Sequence, residues 1–121
     1  EDKVVMIIGM SSKVNLQETL SPFFGREKIS YTIITEPQNS RKPSVATEEI
    51  QNELKQLNYT KLEQITNPTE ALLRAEKIAR ESNYSVLIIG SIYLVGEIMN
   101  YVINRDSLDL YDMLTIHESS K

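Results

Sequence analysis

Three short stretches hold the side chains that could do chemistry. Gly90-Ser91 closes an apolar run and opens a helical pattern. Glycine permits the close approach of a ligand or a helix. Ser91 can cap that helix, and its hydroxyl and N–H can grip a carboxylate; the two roles are compatible. A second stretch, Gly9 to Asn15, holds Ser11, Ser12, Lys13 and Asn15. Backbone N–H groups at the start of the following helix could hold an anion there, with Lys13 adding charge. The same residues also read as a solvated turn with an ordinary cap. In the third stretch, Arg41 could pair bidentately with a carboxylate or phosphate, or act as a surface clamp for its loop. Glu36, where that loop begins, would orient it.

Several chemistries are excluded. Cysteine is absent, so there is no thiolate or disulfide chemistry. The single histidine, His117, sits in a polar tail with no neighbours to share a metal. The loop GMSSKVN, residues 9–15, lacks the second glycine and the Gly-Lys-Ser/Thr ending of a P-loop. No paired carboxylates, metal-ligand cluster or nucleophile–base arrangement stands out.

These candidates sit at the ends of regular elements. Lys3 to Ile8 is a continuous apolar run rich in β-branched residues, as expected of a strand covered on both faces. Asn15 with Glu18 forms a capping-box pattern before Leu16, Leu20, Phe23 and Phe24. Pro22 should distort the last turn of that helix and Gly25 should stop it. Ile29 to Thr35 reads as a second strand, and Glu36 to Ala46 as a long loop with two prolines. Thr47 to Leu57 predicts a helix with Ile50, Leu54 and Leu57 on one face. Leu62 to Ile65 is a short strand. Asn67-Pro68-Thr69-Glu70 starts a helix whose stripe is Ala71, Leu72, Ala75, Ile78 and Ala79. Tyr84 to Ile89 is the last strand and Ser91 to Ile103 the last helix. Gly96, inside that helix, suggests tight packing on the sheet. Residues 105–121 mix apolar residues with acids and could form a short helix or strand. The order β-α-β-α-β-α-β-α calls for an α/β, three-layer domain: a mainly parallel sheet with helices on both faces.

The chain has 121 residues, enough for one domain with a real core. It begins with Glu1 and is read as a piece of a longer protein. The net charge is −4, and the 13 basic residues are scattered, which gives no electrostatic footprint for nucleic acid. No signal-peptide pattern and no bilayer-length apolar run occurs in these residues, so no membrane partner is expected. The lack of cysteine agrees with a cytoplasmic origin.

The segment GSIYLVGEI, Gly90 to Ile98, resembles the motif near the C-terminus of folylpolyglutamate synthase and dihydrofolate synthase, usually close to GSLYLVGEV. VVMIIGM at Val4 to Met10, IITEPQNSRKPS at Ile33 to Ser44 and NPTEAL at Asn67 to Leu72 are similar to further segments of that family, in the same order. The family belongs to the Mur ligase superfamily. The resemblance implies that residues 1–121 are its Rossmann-like C-terminal domain, lacking the family's first strand and helix, since the DGAHNP segment is absent. Such members join an acyl group to an amino acid using ATP and Mg2+, here adding L-glutamate to dihydropteroate or folates in folate biosynthesis and one-carbon metabolism. By resemblance Ser91 contacts a glutamate carboxylate and Arg41 lies near the interdomain cleft. Lys13 stands one residue before the family's lysine position, which Val14 occupies, and Asn15 takes that of its aspartate. Nucleotide binding and most metal ligands belong to a central ATPase domain of the same parent chain, so the 121 residues alone should bind no cofactor and be inactive. A missing strand would leave an open sheet edge, and the isolated chain is expected to self-associate unless its tail covers the gap. Two other readings are a Mur-type peptidoglycan ligase domain and a non-catalytic regulatory or scaffolding α/β module.

Overall fold

The computed structural model describes residues 3–11, 15–21, 28–38 and 44–106. The described elements, in chain order, are β1 (Lys3–Gly9), α1 (Leu16–Leu20), β2 (Lys28–Ile34), α2 (Thr47–Gln56), β3 (Leu62–Gln64), α3 (Pro68–Ser82), β4 (Ser85–Gly90) and α4 (Ile92–Asp106). The four strands form one all-parallel sheet in the order β3-β2-β1-β4.

That order dictates the layers. The chain steps from β1 to β2 to β3 in one direction, then crosses back to place β4 on the far side of β1. Right-handed crossovers put helices on opposite faces when the direction reverses. One core accordingly packs Leu16 and Leu20 of α1 and Ile50 and Leu54 of α2 against Val4, Met6, Ile8, Ile34, Leu87 and Ile89. The other packs α3 and α4, through Ala71, Leu72, Ala75, Leu94, Val95 and Ile98, against Val5, Ile7, Ile33 and Ile88. Adjacent residues of one strand point to opposite faces. The unbroken apolar run of β1 therefore feeds both cores at once, and Val5 to Ile8 are all fully buried. This is the α/β, Rossmann-like three-layer architecture expected from the sequence.

Local chemistry sets the ends. Asn15 accepts the Glu18 N–H at 3.2 Å, and Asn67 accepts those of Thr69 and Glu70 at 2.8 and 3.1 Å. Asn83 closes α3 in a left-handed conformation, a role asparagine tolerates well. Strand β2 starts at Lys28, one residue before the expected Ile29, and β3 is only three residues long. Just beyond these strands, Thr35 Oγ1 and the Glu36 N–H both donate to the Thr66 carbonyl. Helix α4 runs three residues past Ile103, to Asp106.

One expectation fails. Gly96 does not pack on the sheet: it is exposed, and a Cβ added there would meet nothing within 4 Å among the described residues. Its helix turns Leu94, Val95 and Ile98 inward and leaves Gly96 on the solvent side. Pro22, Phe23, Phe24, Gly25 and residues 107–121 lie outside the described residues.

Candidate functional site

In a doubly wound sheet the connections part where the strand order reverses. They leave a crevice at the carboxyl ends of the two strands on either side. Here that point falls between β1 and β4. Their last residues, Gly9 and Gly90, are paired in register. Gly90 has φ +146°, a backbone that side-chain-bearing residues avoid, and a Cβ on it would lie 1.9 Å from the Gly9 oxygen. A Cβ on Gly9 would lie 2.7 Å from the Thr35 oxygen and 3.3 Å from Leu94 Cδ2. Two glycines thus let three strand ends and the head of α4 close on one another.

Ser91 follows at the start of α4. Its Oγ accepts the Leu94 N–H at 3.2 Å, which makes it the helix cap. Its own N–H donates to the Gly9 oxygen at 3.2 Å and is not available to a ligand, which corrects the expectation that it could grip a carboxylate. The hydroxyl proton remains to be donated. Beside it, the first-turn N–H groups of Ile92 and Tyr93 have no acceptor among the described residues. Three donors therefore gather at the positive end of a fifteen-residue helix.

The loop after β2 is tied down on both sides. Glu36 Oε2 accepts the Thr47 N–H at 3.3 Å, capping α2 where Ala46 offers no side-chain acceptor. Glu97 Oε2, on α4, accepts the Gln38 N–H at 2.7 Å. Val45 donates its N–H to the Met10 oxygen at 2.9 Å, and Ser44 donates its hydroxyl to the Pro37 oxygen. The carboxyl rim thus joins Gly90, Ser91 and Glu36 in one region, and Asn15 caps α1, the helix that follows β1. Lys13 and Arg41 fall in the connections that leave β1 and β2, outside the described residues. Among the described residues no group of His, Asp or Glu could hold a metal, and no helix is long and apolar enough to cross a membrane.

Sequence reasoning missed a polar cluster on the other half of the sheet. Tyr31 donates its hydroxyl to Glu63 Oε1 at 2.8 Å, and Arg74 Nε donates to the same oxygen at 3.1 Å. Burial, and then the Glu63 carboxylate, push the Tyr31 phenol up; the same carboxylate raises Arg74 further. The three residues lie apart in the chain: β2–β3 pairing brings Tyr31 to Glu63, and Arg74 comes from helix α3.

The described residues also line an open hollow of about 520 Å³ at the opposite, amino edge of the sheet. It is distinct from the carboxyl rim. No family model, curated protein or solved structure matches this chain.

Proposed function

We propose that this chain is the acid-recognising domain of an ATP-dependent acid–amino-acid ligase. It would be of the folylpolyglutamate synthase and dihydrofolate synthase kind, with L-glutamate as the amino acid it orients. The observation that carries this reading is the convergence of the Ser91 hydroxyl and the Ile92 and Tyr93 N–H groups beside the Gly9–Gly90 crossing. Such a cluster of donors at a helix head suits a carboxylate. The wording GSIYLVGE at the same corner points to glutamate.

The domain's contribution is geometric. Holding a glutamate carboxylate fixes the amine that must attack an acyl phosphate, and positioning of that kind is worth several kcal/mol of barrier. Glu36 and Glu97 hold the loop from both sides, and their negative charge disfavours a bare anion nearby. The reading therefore requires a cation at this rim, and by the family resemblance Arg41 is the residue assigned to it, with Lys13 as a second candidate. ATP and Mg2+ would be held by the central ATPase domain of the parent, which also takes the dihydropteroate or folate.

The test is a glutamate titration of the full-length enzyme carrying Ser91→Ala or Arg41→Ala. The expected result is a raised KM for glutamate with the ATP and folate constants unchanged. An unchanged glutamate KM in both variants would overturn the assignment. So would ATP turnover by these 121 residues alone.

A further inference from the structure

The amino edge of the sheet has features that neither the fold nor the proposed ligase role uses. Strand β2 carries one residue more than β1 there. Val4 pairs with Ile29 and Val5 with Tyr31, so Ser30 is an unpaired bulge. A bulge bends its strand and opens the ladder locally, and such bulges recur beside binding sites. The hollow of about 520 Å³ lies against this bulge, with Ile29, Ser30 and Tyr31 in its wall. That volume falls within the range of sites that hold small molecules.

The lining has a definite chemistry. Tyr31, Tyr59 and Tyr84 contribute aromatic side chains, approached from both layers. Tyr31 and Tyr84 pack on the α3–α4 core, and Tyr59 on the α1–α2 core. Tyr31 commits its hydroxyl to Glu63, and burial raises the Tyr59 phenol, so both stay neutral at physiological pH. Lys3 and Lys61 complete the lining, and neither carries an ion pair to a described residue. The Glu63 carboxylate, the acid nearest Tyr31 in this network, is already engaged by Tyr31 and Arg74. Neutral rings beside lysines that make no ion pair with a described residue favour a flat body with a negative end.

We infer that this hollow is a binding site for a small aromatic anion, its ring system held among the tyrosines and its acidic group met by Lys3 and Lys61. The site is independent of the carboxyl rim and of the glutamate reading. The opposite edge of the sheet serves it, and no residue is shared.

The experiment follows backbone amide NMR signals of the 121-residue chain during titration with naphthoate and, separately, with its uncharged amide, naphthamide. Naphthoate should give saturable shifts centred on Tyr31, Asn58 and Lys61, and naphthamide should bind about tenfold more weakly, the scale of losing two partly exposed charge contacts. Lys3→Gln with Lys61→Gln should weaken naphthoate by a similar factor. Lys55→Gln with Arg80→Gln, which removes the same charge from exposed helix positions, should not. The single Lys61→Gln variant, at an exposed position, serves if the double variant loses its dispersed spectrum. Any of four outcomes would overturn the inference: equal affinity for the acid and the amide, equal loss in both charge variants, shifts centred on Gly9 and Ser91, or no saturable shift up to the solubility limit.

Discussion

Gly9 and Gly90 face one another across the β1–β4 ladder so closely that a methyl group on Gly90 would overlap the Gly9 carbonyl oxygen, at 1.9 Å. The crossing is made of backbone, which cannot swing away as a side chain could. Gly90→Ala must therefore separate β4 from β1 or twist Gly90 out of its φ of +146°. The expected loss is about 3 kcal/mol or more, in the range of strained and overpacked substitutions. Urea unfolding of the purified variant checks this. A loss under about 1 kcal/mol would contradict the geometry.

Gly96 is the opposite case. It sits mid-helix, exposed, with open space where a Cβ would go. Gly96→Ala should stabilise the domain by about 0.5–1 kcal/mol through helix propensity alone. The same urea series measures it, and a destabilised variant would show that a neighbour outside the described residues uses that space.

Glu36 should matter to α2 without being part of the core. Its carboxylate replaces the missing side-chain cap of Ala46. Removing it in Glu36→Ala should cost about 1 kcal/mol, as losing a cap does. Glu36→Gln keeps an acceptor and should retain much of that. Thermal unfolding of the pair separates the hydrogen bond from the charge.

Alkaline unfolding should reflect the two raised phenols. Tyr31 and Tyr59 hold their protons more tightly when folded than when unfolded, where the phenol titrates near 10. Their contribution is complete below about pH 10 and is lost as the pH rises through the folded values. Stability should therefore fall with pH above about 10, and Tyr59→Phe should flatten part of that fall. Denaturant midpoints measured across the alkaline range, with phenolate absorbance read in parallel, test the sign.

Much of this architecture is written in local pattern. The Lys3 to Ile8 run suited a strand covered on both sides, and Asn67-Pro68-Thr69-Glu70 a helix start, as β1 and α3 show. Reversal of direction at β1 was less legible, because strand order follows from long-range pairing. Gly96 misled because glycine marks close packing and solvent exposure with the same letter; the helix phase decides between them. Ser91 was legible as a cap, but the engagement of its N–H depends on where the Gly9 carbonyl lands. The Tyr31–Glu63–Arg74 cluster and the Ser30 bulge left no signal. The bulge arises from register between strands and the cluster from that register together with the packing of α3, and neither is visible in one element alone.

The position of β1 also shapes how the protein is made. Of the described strands, β1 is made first, and it lies between β2 and β4, the last of them to be made. A ribosome releasing this chain exposes Val4 to Ile8 long before Ser85 to Gly90 exist to cover them. Until β2 and β4 have both been made, the nascent polypeptide carries an unshielded oily ribbon, and this interval is where holdase chaperones would have the greatest effect on its yield.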